Sequence, residues 1–254
     1  MIAQGLRTGR LALHGRVMPA SNATFVGEID GRRVVYKPVA GERPLWDFPD
    51  GTLAQREEAA YVVSEALGWN LVPLTFRRDG PHGLGMVQLW QEPDPVQEAV
   101  TLVRDTQVPE GYLYVFEGLD DRDQVVSLVH EDTAALRRMA VFDAVVNNAD
   151  RKGGHVLAMS DGHRYGVDHG LTFHVEHKLR TVLWGWAGDP LSDEDRVCLE
   201  ELSSRLEGDL GECLLELITP HEVEATRRRV KRLLRVGTLP EPGQGWRAIP
   251  WPPF

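Results

Sequence analysis

The sequence predicts an α+β protein in two lobes, the first small and rich in strands, the second mainly helical. Two observations predict it. Up to about residue 90, short alternating apolar runs separated by turn residues surround one helical stretch, 53–67. From residue 132 to 235 the apolar spacing is mostly helical. A third observation organises the site. Between Val141 and Phe173, Asp150 and Asp168 each follow an apolar element, with a tight turn between them. Two acids so presented suit a base and a metal ligand held over one nucleotide. The boundaries expected are 1–92 for the first lobe, 93–237 for the second and 238–254 for a Pro/Trp-rich tail.

Taken in order, residues 5–13 read as a short helix or strand. Two strands follow around Ser21-Asn22-Ala23-Thr24. That turn offers small side chains, hydroxyls and backbone N–H groups, so Ser21, Asn22 and Thr24 are candidates to lie over phosphates, although such residues are also plain turn formers. Asp30-Gly31 is a strong hairpin signal. The returning strand, Arg33 to Pro38, carries Lys37 among apolar residues, where a cation needs a partner. Phosphate is the natural one.

Thr52 is placed to cap the helix Leu53–Leu67, and Gly68 to end it. Glu57 or Glu58 on that helix could pair with Lys37. Leu71–Arg78 and Leu84–Trp90 form a second strand pair around Asp79–Gly83. The chain then leaves through Gln91-Glu92-Pro93 as a hinge, placing Gln88 and Trp90 where backbone could read an adenine edge. Residues 93–132 are the least readable, with strand candidates at 112–116 and 124–129. Asp132-Thr133 caps a helix to Val146, and 181–186 reads as strand or loop. Helices are expected from Ser192 to about Glu207, over Asp209–Leu217 and from Pro220 to Arg235. The aromatic residues of the tail favour docking on the body.

Composition limits the function. A net charge of -10 argues against a nucleic-acid surface. The one basic cluster, Arg227-Arg228-Arg229 with Lys231, Arg232 and Arg235, reads as a solvated helix face. Cys198 and Cys213 form neither a disulfide framework nor a zinc spacing; they fit a reducing cytoplasm and buried packing. No signal-peptide core is present, and no apolar run approaches the ~18 residues of a membrane span. Integral membrane association is therefore not expected.

Set in sequence, these pieces resemble a known family. Val35-Tyr36-Lys37-Pro38 resembles the nucleotide-lysine strand of the phosphatidylinositol 3-/4-kinase-like branch of the protein-kinase-like fold. Arg56-Glu57-x-Ala59-Ala60-Tyr61 resembles its first-lobe helix. Asp143-Ala144-Val145-Val146-Asn147-Asn148-Ala149-Asp150-Arg151 resembles the catalytic-loop run of the type II phosphatidylinositol 4-kinases, and Val167–Phe173 their metal-binding Asp-x-Gly element. The chain also resembles a group of actinobacterial proteins described only as phosphatidylinositol 3-/4-kinase-like. The resemblance covers roughly residues 15–235.

It implies ATP and Mg2+ or Mn2+ as cofactors and transfer of the γ-phosphate to a hydroxyl. Lys37 would hold the α/β-phosphates, with Glu57 orienting it. Asp150 would serve as base or hydroxyl orienter beside Arg151, Lys152 would serve the γ-phosphate, and Asp168 would ligate the metal. His155 stands where these kinases usually carry Asn as second ligand. That departure leaves open an Mn2+ preference, a single-metal site or weakened catalysis. The acceptor is a small molecule or a protein hydroxyl; the acidic charge and lack of an anchor count against a lipid. Three rival readings stand beside this one. The first is a pseudokinase or nucleotidyl transferase with the same cleft. The second is a metal-dependent hydrolase using His155, His163, Asp168, His169, His174 and His177. The third is an interaction module.

Overall fold

Asp30 and Gly31 adopt positive φ, 49° and 76°, as a two-residue hairpin matched to strand twist requires. They join β2 (Phe25–Ile29) to β3 (Arg32–Pro38), with Ile29 opposite Arg32 and Phe25 opposite Tyr36. The computed structural model describes residues 2–17, 22–49, 51–104, 107–243 and 247–254. In it α1 (Ile2–Thr8) and β1 (Ala12–Arg16) lead in, and β4 (Thr75–Gly80) and β5 (Gly83–Leu89) complete an antiparallel sheet of order β1-β2-β3-β5-β4. The second strand pair starts later than its apolar run suggests. The Leu71 and Val72 N–H groups donate to the Ser64 hydroxyl, 2.8 and 3.1 Å, so that stretch stays out of the ladder. Val34 and Tyr36 turn into a small core with Leu6, Leu11, Ile29, Phe76 and Val87. Alternation therefore sends Val35 and Lys37 to the opposite face.

Helix α2 (Leu53–Ala66) does not belong to that small core. Its Ala59, Ala60 and Val63 enter a larger one with Leu136, Met139 and Phe142, which ties the two lobes together. Thr52 does not cap it: its hydroxyl donates to Pro49 O. The Glu42 carboxylate instead accepts from the Leu53 and Ala54 N–H groups at 3.1 and 2.9 Å. A carboxylate there satisfies two orphan donors and meets the positive end of the helix. Gly68 ends the helix at φ 68°, as its position predicts.

The poorly readable stretch folds as a three-stranded sheet, order β6-β8-β7: β6 (Val100–Val103), β7 (Tyr112–Leu119) and β8 (Val125–Glu131). The last two match the strand candidates; β6, only four residues long, carried no usable pattern. Thr133 caps α3 (Ala134–Val146), accepting from Leu136 N–H at 3.3 Å. A short hairpin, β9 (Val156–Ala158) and β10 (Arg164–Gly166), follows. Residues 181–186 form a loop with a 3₁₀ turn at Trp184–Trp186 rather than a strand. Helices α4 (Asp193–Leu206), α5 (Asp209–Leu215) and α6 (Pro220–Val236) complete the second lobe. Reciprocal capping boxes start α4 at Ser192/Asp195 and α6 at Thr219/Glu222.

Three surface expectations change. Arg229 turns inward from the basic cluster, donating to Val145 O and His174 O at 3.0 and 3.1 Å. Cys213 is exposed, because Leu210 and Leu214 occupy the buried face of short α5, while Cys198 is half-buried against the large core. In the tail, Leu239, Ala248 and Ile249 pack on the large core and the Phe254 ring lies over Gly153, but Trp251 is 67% exposed, and Trp246 lies outside the described residues. Among the described residues no helix is long and apolar enough to cross a membrane.

Candidate active site

Asn147 stops α3 in the left-handed region, φ 54°, and the chain turns back on itself. Asn148 Nδ2 donates to Asp143 Oδ1 at 2.9 Å, and its Oδ1 accepts the Asp150 N–H at 3.0 Å. Asp150 is thus set by the end of its own helix. Arg151 follows, and its guanidinium turns inward with no solvent exposure. It grips both Asp143 oxygens (2.8 and 2.9 Å), the carbonyls of His155 and Val167 (3.3 and 3.2 Å) and His169 Nε2 (2.7 Å). This corrects the expectation for Arg151, which does not reach the cleft. A buried carboxylate eight residues back takes its charge, and its planar fork ties together α3, the Asp150 loop and the Asp168 loop.

Lys37 crosses from β3 to the other lobe. Its Nζ donates to Glu57 Oε1 at 2.6 Å and to Asp168 Oδ1 at 2.7 Å. The second Glu57 oxygen accepts the His169 N–H at 2.9 Å. One buried carboxylate therefore fixes both the strand lysine and the loop that carries Asp168. Glu58, the other candidate, pairs with Arg77 at 2.6 Å. Burial works against the charged Lys37 amine, but Asp168 and then Glu57 outweigh it, and the amine titrates above its usual range. Lys37 in turn holds the Asp168 carboxyl well below the usual range.

Lys37, Glu57, Asp150 and Asp168 line one cavity of about 290 Å³, with Asn22 and Glu42 at its wall. Burial raises the Asp150 carboxyl; Lys152, 3.7 Å away, opposes this and Asp168 adds to it. A second, larger cavity of about 760 Å³ lies between α6 and residues 238–243, and none of those four residues lines it.

His155 Nε2 lies 3.4 Å from Asp168 Oδ2, and its Nδ1 lies 3.0 Å from the Asp150 carbonyl. A carbonyl only accepts, so Nδ1 carries the proton. Burial lowers the ring to about 4, with Asp168 opposing and Arg151 assisting, so it is neutral near pH 7. The Nε2 lone pair then converges with the Asp168 carboxylate. Two electron-pair donors at that separation fit a divalent cation, with imidazole suiting Mn2+ better than Mg2+. Among the described residues no set of three or more His, Cys, Asp or Glu side chains could hold a metal ion. The hydrolase ligand set is dispersed: His163 Nε2 meets Asn70 O, His169 meets Arg151, and His174 Nδ1 accepts the Glu176 N–H.

Three of the described nucleotide candidates, Gln88, Trp90 and Thr24, fall outside the cavity. Gln88 lies on the same sheet face as Lys37, but its amide donates to Thr75 Oγ1 at 2.8 Å within the sheet. The Trp90 indole N–H goes to Glu92 and its ring lies under Arg33, 4.4 Å from the guanidinium carbon. Its backbone N–H is taken by Arg33 O, 3.0 Å, and so is not free for an adenine edge. Asn22 Oδ1 accepts the Arg43 N–H at 2.8 Å, while the Thr24 hydroxyl donates to Asn22 O at 3.4 Å; Ser21 lies outside the described residues. Asp143, His169 and Glu42 have structural roles here that local pattern did not signal, since each partner is distant in sequence or hidden in the core.

The histidines have a pH consequence. An unfolded chain protonates His155 as pH falls through 6.5, the folded chain only near 4. The unfolded state therefore binds more protons across that window, and stability falls as pH is lowered through it. His169, also lowered by burial, acts in the same direction. Thermal unfolding from pH 7 to 4 should show the loss, and His155→Asn should flatten it; an unchanged slope in that variant contradicts the assignment.

No family model matches the chain. It is 51% identical over 262 residues to Protein Rv2133c of Mycobacterium tuberculosis (strain ATCC 25618 / H37Rv), covering 98% of this chain and 94% of that protein. Among solved structures it is similar to the Helicobacter pylori proinflammatory kinase CtkA, at 10% identity and a TM-score of 0.47, over 92% of this chain and 94% of the other.

Proposed function

For this chain, which belongs to the family of Protein Rv2133c, we propose a metal-assisted, ATP-dependent phosphotransferase of the kinase type. The observation that carries the reading is Lys37, on the third strand of the sheet, held at 2.6 Å by the helix residue Glu57 and at 2.7 Å by Asp168. A strand lysine paired with a helix glutamate, beside a metal-loop aspartate, is the arrangement that kinases require for phosphoryl transfer. The quoted motifs, which resemble those of the phosphatidylinositol 3-/4-kinase-like branch, support the same reading.

In this reading Lys37 binds the α- and β-phosphates and Glu57 keeps it aimed. Asp168 and His155 would hold a divalent cation, which when bound would neutralise charge on the phosphate oxygens. Asp150 orients the acceptor hydroxyl and takes its proton as the acceptor oxygen bonds to the γ-phosphorus. The bond from that phosphorus to the β–γ bridging oxygen breaks, and ADP leaves. Lys152 offsets charge on the moving phosphoryl group. Such transfer needs positioning and charge stabilisation more than covalent catalysis, and this set of side chains can provide both. The acceptor is a small metabolite or a protein hydroxyl.

A thermal-shift series tests the binding half. ATP with Mn2+ at a hundredfold excess over Kd stabilises by about 2.7 kcal/mol, roughly 5–10 °C for a chain of this size. Lys37→Ala should remove that ligand-induced shift, and His155→Asn should move the preference from Mn2+ toward Mg2+. No shift with any nucleotide, in either metal, contradicts the proposal.

A further inference from the structure

The Asp150 loop leans on a segment far from it in sequence. Arg151 pairs with the Thr181 segment: its N–H donates to Arg180 O at 3.0 Å, and its carbonyl accepts from Val182 N–H at 3.1 Å. On the other side of that segment, Ala248 O accepts both the Thr181 N–H (3.0 Å) and the Trp184 indole N–H (2.9 Å). The chain then runs back to the loop. Pro253 O accepts the Gly153 N–H at 2.8 Å, and the Phe254 ring covers Gly153. A Cβ built on Gly153 would lie 2.7 Å from Phe254 Cδ1 and 3.0 Å from Cζ, closer than real Cβ atoms pack. Gly153 is not among the positive-φ glycines, so a side chain there would meet the Phe254 ring rather than backbone strain.

Gly153 opens the 3₁₀ turn Gly153–His155, closed by the His155 N–H on Lys152 O at 3.1 Å. Asp150 and His155 stand at either end of this stretch. We infer that residues 248–254 are a positioning strap, in which Pro253 and Phe254 hold the Gly153 turn and so fix His155 against Asp168 and Asp150. The inference rests on the phosphotransferase reading for what His155 and Asp150 do. Gly153 and Phe254 are then positioning residues and touch neither nucleotide nor acceptor. They act as the outer groups that orient a metal ligand, whose loss weakens metal binding without touching the metal.

The test uses the full chain with Phe254→Ala, Gly153→Ala and the double variant. Phe254 is 45% exposed, so its truncation leaves the core intact. Three quantities are read: hydrogen exchange at the Gly153 and His155 amides, Mn2+ affinity by electron paramagnetic resonance, and metal-free ATP affinity. Each single variant should speed exchange at both amides and weaken Mn2+ binding roughly 10-fold. Metal-free ATP affinity, set by Lys37, should stay within about twofold. The double variant should be no worse than either single, since both remove one contact. Unchanged exchange and Mn2+ affinity in both singles, or fully additive losses in the double, overturn the strap. If the wild-type chain takes up neither ATP nor Mn2+, the phosphotransferase reading falls, and amide exchange alone still decides the strap.

Discussion

Replacing Asp168 with asparagine is expected to lower phosphoryl transfer by about 10²–10³-fold, the usual cost of removing one preorganised electrostatic group. The side chain is half exposed and opens on the cavity, so the substitution should leave the fold in place. Lys37 keeps its bond to Glu57, and nucleotide should still bind. What is lost is the carboxylate that converges with His155 Nε2 at 3.4 Å. Mn2+ affinity should therefore fall together with turnover, while metal-free ATP affinity changes little. A variant with full turnover, or one that loses ATP but keeps Mn2+, would contradict the roles given to Asp168 and Lys37.

The second large effect is on stability. Arg151→Leu leaves the Asp143 carboxylate buried without its partner, and breaking such a pair costs about 3–5 kcal/mol. Urea unfolding should show it directly. Replacing both residues by leucine should recover much of that loss, because two apolar side chains replace a charge pair that was costly to bury. Turnover should stay low in the double variant. The His155 and Val167 carbonyls and the Asn148 amide would then lack the groups that now bind them. If Arg151→Leu changes stability by less than about 1 kcal/mol and lowers only turnover, Arg151 acts on substrate and the scaffold role is wrong.

These two residues show what pattern can and cannot reveal. Lys37, Asp150 and Asp168 were legible because each breaks a local rule, a cation in an apolar strand and acids ending apolar runs, whereas Glu57 was not separable from Glu58 by pattern and was favoured only by the family resemblance. The structure brings all four to one cavity. Arg151 stands in the same loop but faces inward, because Asp143 sits one helix end away and fully buried. Sequence shows the loop and not the direction of the side chain. Gln88 has the parity of Lys37 in the sheet, yet Thr75 on the neighbouring strand captures its amide. Glu42 caps α2 from eleven residues away, a reach that no capping pattern contains. The tail illustrates the same limit. Its docking was expected from its aromatic residues; the Phe254 ring does cover Gly153, but Trp251 stays exposed, and a backbone carbonyl, that of Pro253, takes the Gly153 N–H.

In the proposed reaction Asp150, Lys37 and the Asp168–His155 pair move a γ-phosphate. The most direct measurement incubates the chain and Mn2+ with ATP labelled at either the α or the γ position. Label is followed into the protein, water and added hydroxyl compounds. ADP is the expected product, with γ-label transferred, α-label retained on ADP, and transfer lost in Asp150→Ala. Release of AMP-linked label, or tight ATP binding with no turnover that Asp150→Ala alters, would contradict it.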